Sequence, residues 1–543
     1  MARPLRTATS IALIFGAITL LIFGAIIALI FGESASAATT HYISKSLGSD
    51  SNNGASTSAA WAHLPGMPSC TKNCASYTPV PGDSFILKGG DTWDASDLDI
   101  FWTWSGTSSA GIYVGVDQTW YDPSVCGTSF CRPIWNCGGA GNFCSYTKNG
   151  DGYWTDWSGV QYVTVDNIEV TGLYSSSSSN PNYFSIYGSN NTFEHIYAHG
   201  WSHGTNASGA TDSSVVFAPS TCCGGGLNNV MHDNVIDGSD TTQDSMAAFF
   251  GSGIHSVYNN IIKYVSNGVE GSADIVHDNW FGPINVSFAT GDHQNAIQQQ
   301  APVDTNTNVF IYNNVITQIN DGGIVKIWTE QAAVNNGAIN TYVFNNVVFN
   351  NVPGNDVDIC QQGTNCGTHY YFNNTFQCGN DSSTDICSAP GGGGPTTVVY
   401  WTNNHCITSM TCFQNLGTNV TATLTTNLTQ SVLAAKGQGY TSASIYAFQP
   451  TGTSGSTLTA GTNEQSLCTK ISGINGAAGT ACQSGTGYAC AYNTSNHTIS
   501  CPADSPLVTR PSNTAWDIGA YEFTSTTTGN GPNPPTSLAA TVR

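Results

Sequence analysis

The feature that most constrains this chain is a phrase that keeps returning. It runs apolar residue, aromatic or His, Asn or Asp, Asn, then usually two apolar residues. It stands at Val230-Met-His-Asp-Asn234-Val-Ile, Val257-Tyr-Asn-Asn260-Ile-Ile and Val276-His-Asp-Asn279-Trp-Phe. It returns at Ile311-Tyr-Asn-Asn314-Val-Ile, Val343-Phe-Asn-Asn346-Val-Val and Tyr371-Phe-Asn-Asn374-Thr-Phe. Trp401-Thr-Asn-Asn404-His-Cys is a weaker copy, and Val163-Thr-Val-Asp-Asn167-Ile and Thr192-Phe-Glu-His195-Ile are degenerate members upstream. Counted from Asn234, the intervals are 26, 19, 35, 32, 28 and 30 residues. Repeats of this length build helical arrays or β-solenoids. Helical units need longer amphipathic stretches of good helix formers, whereas these runs are short, β-branched and aromatic, broken by Gly, Asn and Asp. Asn suits a corner between strands because it tolerates the left-handed conformation. Its amide can also bond the Asn of the next coil, making a ladder. With coils about 4.8 Å apart, six intervals build a section about 29 Å long. The prediction is an all-β chain: a parallel β-solenoid of variable coil length with Asn-rich corners.

Charge agrees with that fold and narrows the partners. Only 13 Lys+Arg stand against 34 Asp+Glu, a formal net charge of −21 with a pI near 4.6. Long surface helices draw on Lys and Glu, which are scarce here. Phosphate neutralisation needs Lys and Arg, so nucleic acid is excluded as a partner. At the N-terminus, Arg3 and Arg6 precede an apolar run from Ile11 to Gly32, and Ser34-Ala-Ser-Ala-Ala38 carries an Ala-x-Ala cleavage pattern. Residues 1–37 are therefore read as a signal peptide, with an uncleaved anchor as the alternative. Either way the body is expected outside the cell or at its surface, with no membrane insertion after signal removal. The 18 cysteines fit an oxidising compartment. Close pairs predict short-range disulfides pinning loops: Cys70/Cys74, Cys126/Cys131, Cys137/Cys144, Cys360/Cys366, Cys378/Cys387, Cys406/Cys412, Cys468/Cys482 and Cys490/Cys501. The adjacent Cys222 and Cys223 are either a vicinal pair or bonded elsewhere.

Two terminal signatures add a resemblance. The stretch His41-Tyr-Ile-Ser-Lys-Ser-Leu-Gly48-Ser-Asp50-Ser-Asn-Asn-Gly54, leading to Trp61-Ala-His-Leu64, is followed by Pro81-Gly-Asp83-Ser-Phe-Ile-Leu-Lys-Gly-Gly-Asp91-Thr. Near the end stands Trp516-Asp-Ile-Gly-Ala-Tyr-Glu522-Phe. With the Asn-Asn rungs, these resemble exported right-handed parallel β-helix proteins of the pectate-lyase-like superfamily, over about residues 41–523. The resemblance implies the right-handed sense of the coils. It leaves activity open, because that superfamily includes lyases, hydrolases, epimerases and non-catalytic surface proteins. The expected organisation is an N-terminal cap with first coils and Cys-rich loops (38–160), central coils (161–415), C-terminal coils with a closing segment (416–523) and a Thr/Gly/Pro linker tail (524–543).

Solenoids bind ligands along columns of outward residues from successive coils. Aligning strands by their apolar residue gives Val269-Glu270, Ile297-Gln298, Val325-Lys326 and Val357-Asp358. Glu270, Gln298, Lys326 and Asp358 then form one column, with Gln300, Trp328 and Asp356 on the same face by the strand period. In a chain so poor in cations, Lys326 is the candidate catalytic base. A lyase removes the proton α to a uronate carboxylate while a cation offsets the developing charge. Glu270, Asp356 and Asp358 are the candidate Ca²⁺ ligands; Gln298, Gln300, Trp328 and His293 are the candidate substrate contacts, Trp328 as a stacking platform. Carboxylates around Lys326 would raise its pKa unless a metal occupied them, and the plainer reading pairs Lys326 with acids across coils. A hydrolase needs two carboxylates with room for sugar and water, which Asp356 and Asp358 offer along one strand. His195, His199 and His203 recur every four residues, but in a strand-and-corner context this does not put them on one face. His232 and His277 fill the slot that elsewhere holds Tyr or Phe, a structural role. The expectation is a secreted carbohydrate-active β-helix acting on extracellular polysaccharide, lyase favoured over glycoside hydrolase. The alternative is a non-catalytic cell-surface or adhesive glycan-binding β-helix, which the acidic net charge mildly favours.

Overall fold

The structure is a computed structural model. It describes residues 38–523 except 140–151, 158, 176–181, 204–213, 221–225, 241–245, 285–294, 300–306, 320–326, 330–338, 350–356, 360–366, 379–386, 389–396, 415–419, 442–447, 489 and 501–507. Within the unit Thr40–Arg543 the strands form a 20-stranded and a 12-stranded sheet in which every pairing is parallel. The larger sheet has two lanes, joined where the long strands Met246–Tyr258 and Asn267–His277 run through both. Each of the next three coils contributes one short strand to each lane and one to the second sheet, for example Ile297–Gln299, Asn308–Tyr312 and Val315–Thr317. This is the parallel β-helix expected from the repeat, with Asn-rich corners.

The inward face explains why these residues form strands. One column runs Ile100, Trp154, Phe184, Phe217, Phe249, Val269, Ile297, Ile327 and Val357, every member paired to the next and buried. The aromatics fill the early coils, with Phe184, Phe217 and Phe249 stacked at 5.0 and 5.2 Å between ring centroids. Aliphatic β-branched residues then take over. Such side chains suit a doubly flanked parallel strand.

The corners divide their work between the two residues of the Asn-Asn phrase. The first adopts the left-handed conformation: Asp233 (φ 54°), Asn259 (56°), Asp278 (52°), Asn313 (55°), Asn345 (57°), Asn373 (53°) and Asn403 (55°). The second is buried and builds the ladder. The backbone N–H of Asn234, Asn260, Asn279, Asn314, Asn346 and Asn374 donates in turn to the side-chain oxygen of the next member, at 2.9–3.1 Å. Asn404 passes the ladder on to Asn427 at 2.8 Å. The upstream members are corners too: Asn167 (φ 62°) and His195 (φ 53°) turn the chain, with Ile168 and Ile196 buried where the ladder Asn would stand.

Outside the second lane, rings stack from coil to coil: His232–Tyr258 at 4.6 Å, Tyr258–His277 at 4.9 Å, His277–Tyr312 at 4.7 Å and Tyr312–Phe344 at 4.9 Å. His232 and His277 are thus ladder rings, as their slot implied. After Leu428–Gln430 no described strand joins either sheet. The helices Gln465–Ser472 and Gly476–Cys482, with Trp516, instead cover Phe310, Tyr342, Phe344 and Phe372 of the second lane.

Disulfides join Cys70–Cys74, Cys126–Cys131, Cys378–Cys387, Cys406–Cys412 and Cys468–Cys482, all pairs expected from spacing. Cys137 and Cys490 are also disulfide-bonded. Cys144, Cys222, Cys223, Cys360, Cys366 and Cys501 lie outside the described residues, as do the segments 1–37 and 524–543. Among the described residues no helix is long and apolar enough to cross a membrane.

Candidate functional site

The first lane carries the expected outward column, with one correction. Phe250 pairs with Glu270, Glu270 with Gln298, Gln298 with Trp328, and Trp328 with Asp358. Glu270, Gln298 and Asp358 therefore share a column as predicted. The fourth member is Trp328, not Lys326, because Ile327 rather than Val325 sits in register with Ile297 and Val357. A two-residue slip keeps every side chain on its own face, so the strand period fits both alignments equally. Lys326, His293, Gln300 and Asp356 lie outside the described residues.

A small motif holds two of these side chains. Asn267 donates to the Glu270 carboxylate at 3.1 Å, and one coil later Asn295 donates to the Gln298 side-chain oxygen at 2.9 Å. The two asparagines are themselves linked, the Asn295 backbone N–H donating to the Asn267 side-chain oxygen at 2.9 Å. Glu270, Gln298 and Asp358 are buried to within 8 % exposure, and the asparagine bonds fix the polar ends of Glu270 and Gln298. Phe250, at the head of the column, is 36 % exposed. Sequence reasoning singled out neither Phe250 nor the asparagines. The signal was available as Asn267-x-x-Glu270 repeated in Asn295-x-x-Gln298.

Three strand steps separate Glu270 from Asp358. That is about 14 Å, well beyond the separation of either glycosidase carboxylate pair. It is also beyond the reach of one Ca²⁺, whose ligand oxygens sit about 2.3–2.6 Å from the ion. A single ion held by both Glu270 and Asp358 does not fit this register.

The histidines spaced by four separate as expected. His195 turns a corner, its Nδ1 2.8 Å from Asp166 Oδ1. His199 is gripped from both sides, by Asp240 at Nδ1 (2.6 Å) and by Glu169 at Nε2 (3.1 Å). Burial opposes charge on His199, but the hydrogen bonds and charge of the two carboxylates prevail and hold its pKa at about 9. Its ring lies 4.2 Å from that of Tyr197, whose other neighbour is His497 at 4.0 Å. That arrangement anchors the antiparallel hairpin of Ala491–Asn493 and Thr498–Ser500 to the second sheet.

No family model matches the chain, and no curated protein matches it. Solved structures do. Pectate lyase Pel9A is similar over 90 % of this chain and 97 % of its own, at 16 % identity and a TM-score of 0.41. The GH136 lacto-N-biosidase from Eubacterium ramulus covers 73 % of this chain and 68 % of its own, at 10 % identity and a TM-score of 0.40. A PL6 family polysaccharide lyase from Pseudopedobacter saltans covers 65 % and 89 %, at 13 % identity and a TM-score of 0.39.

Proposed function

We propose that this protein is exported and acts on an extracellular polysaccharide laid along the column Phe250, Glu270, Gln298, Trp328 and Asp358, as a lyase with Lys326 as its base. The observation that carries the reading is the column itself: five strands in register place Phe250, Glu270, Gln298, Trp328 and Asp358 at successive positions, aromatic residue types interspersed with hydrogen-bonding ones. Pyranose rings stack on aromatic faces while their hydroxyls bond fixed amides and carboxylates, which suits a spacing of about 4.8 Å per coil. Glu270 and Asp358 stand too far apart to work as a glycosidase pair. In that reaction Lys326 takes the proton α to the uronate carboxylate and the glycosidic oxygen leaves from the β carbon. Gln298, Gln300, His293 and Trp328 hold the sugar.

Unsaturated uronide product is read at 235 nm on pectate, alginate and glycosaminoglycans, with and without Ca²⁺. Activity on one uronate polymer that Lys326→Ala abolishes is the expected result. Silence on all of them sinks the lyase reading. Activity that survives Lys326→Ala moves the base elsewhere.

A second reading, glycan binding without catalysis, is favoured by the corrected register, which puts an aromatic residue rather than the cation in the column. Affinity electrophoresis on neutral and acidic glycans separates the two. Retention that Trp328→Ala and Phe250→Ala weaken, with no product formed, supports the binder.

A further inference from the structure

We propose that Asp166, Glu194, His195 and His232, on the outer edge of the second lane, bind one divalent transition-metal ion of the Zn²⁺ type. One donor atom each from Asp166, Glu194 and His195 lies within 4.8 Å of the others. Register explains the meeting. Asp166, Glu194 and His232 are direct partners on three successive strands, and His195 follows Glu194 at the corner. His232 Nε2 reaches Glu194 Oε2 at 3.1 Å, and the His195 and His232 ring centroids are 6.4 Å apart. Two imidazoles on one tetrahedral ion have centroids roughly 5 Å apart, so a modest closure brings both nitrogens to the metal.

The outer partners argue for a built site. Ligating carboxylates and imidazoles are normally oriented by hydrogen bonds at their remaining atoms. Here Tyr113 donates to Asp166 Oδ2 at 2.6 Å, and Asp233 holds His232 Nδ1 at 2.7 Å, which aims Nε2 at Glu194. Arg132 Nε donates to the His195 carbonyl at 3.1 Å and fixes that corner. His195 is also an unusual corner residue. Asn259, Asn313, Asn345, Asn373 and Asn403 fill the same left-handed slot, as do Asp233 and Asp278, residue types that suit that conformation through local hydrogen bonding. The donor set chooses the metal class: two imidazole nitrogens with two carboxylates suit Zn²⁺ and its neighbours, whereas Ca²⁺ takes six to eight oxygens. On binding, the ion replaces the hydrogens that bridge His195 to Asp166 and His232 to Glu194, and the displaced protons pass to solvent.

The test is calorimetric titration of the EDTA-treated, dialysed protein with ZnCl₂ in two buffers of different ionisation enthalpy, with CaCl₂ in parallel. Co²⁺ serves as a visible-absorption probe. Expected are one Zn²⁺ per chain with proton release, and a d–d band for Co²⁺. Affinity should fall at least about tenfold in His195→Asn, which restores the corner residue of the other coils, and in Glu194→Gln. Circular dichroism confirms that each variant is folded, and Glu194→Gln decides if His195→Asn is not. Absence of saturable Zn²⁺ binding, Zn²⁺ binding untouched by both substitutions, or Ca²⁺ bound as tightly as Zn²⁺ overturns the proposal.

Discussion

At the scale of single residues, the histidines show how slot decides role. His232 and His277 stack in a ring ladder, while His199 is charged because Glu169 and Asp240 close on both its nitrogens. The same sequence spacing that suggests a helical metal motif scatters His195 and His199 to different surfaces once a corner intervenes. The charged His199 has a consequence for pH. Its surroundings are Glu169 on the neighbouring strand, Asp240 in the turn after Val235–Asp237, Tyr197 on the strand just before it and His497 from the hairpin, with Asp237 and Arg132 close by. A histidine whose folded pKa lies above its unfolded value adds stability below the unfolded value and loses it as pH rises through the folded one. For His199 that window runs from 6.5 to about 9. Stability should therefore fall across this window by at most roughly 3 kcal/mol, and the melting temperature with it. In His199→Phe, which keeps a ring on Tyr197, the decline should be shallower. Equal slopes in the two proteins would show that His199 is not charged in the folded state.

At the scale of elements, the Asn-Asn phrase was legible and the outward column only partly so. From Asp233 to Asn403 each of these corners announces itself by Asn or Asp followed by Asn, a pattern that survives loops of any length. The strands of the first lane carry no such marker. Val325 and Ile327 are both β-branched and two apart, so parity cannot choose between them, and loop lengths vary from coil to coil. The sheet register chose Ile327, which is why Trp328 and not Lys326 meets Gln298. The phrase also hides a division of labour that substitution can expose. Asn346 accepts from both the backbone N–H and the side-chain amide of Asn314, and donates to Ile311, Phe344 and Asn374. Removing it leaves several buried groups unsatisfied at about 1–3 kcal/mol each. Asn345 instead faces outward and donates to the carbonyls of Ala481 and Ser484. Asn346→Ala should lower the urea midpoint strongly. Asn345→Gly, which keeps the left-handed backbone and the ladder but loses the contacts to Ala481, Ser484 and Arg510, should lower it less while speeding proteolysis within 465–523. Reversed effects would mean that the ladder lies in the first Asn of each pair.

At the scale of the whole molecule, the scarcity of cations means that those present are placed with purpose, and Arg510 is the clearest case. Its guanidinium is almost wholly buried and donates to the carbonyl oxygens of Ser484, Asp517, Gly519 and Ala520, to the Asn345 side-chain oxygen at 3.1 Å and to the Glu522 carboxylate at 3.0 Å. One residue thus ties the closing segment Trp516–Phe523 to an Asn corner of the coil stack. The terminal signature Trp516-Asp-Ile-Gly-Ala-Tyr-Glu522-Phe was visible in the sequence, but its partner was not, because Arg510 meets Asn345 across 165 residues. Burial raises the Glu522 pKa to about 7 even with Arg510 beside it. Removing the arginine therefore strands a carboxylate among atoms that cannot solvate it. Breaking one side of a buried pair costs about 3–5 kcal/mol, whereas replacing both sides with apolar groups is often near neutral. Arg510→Met should destabilise the closing segment by that order and open the chain after Gln430 to limited proteolysis. Arg510→Met with Glu522→Met should recover much of the loss. If the double variant is as labile as the single one, the carbonyl and Asn345 contacts, rather than the ion pair, hold the end of the chain to the coils.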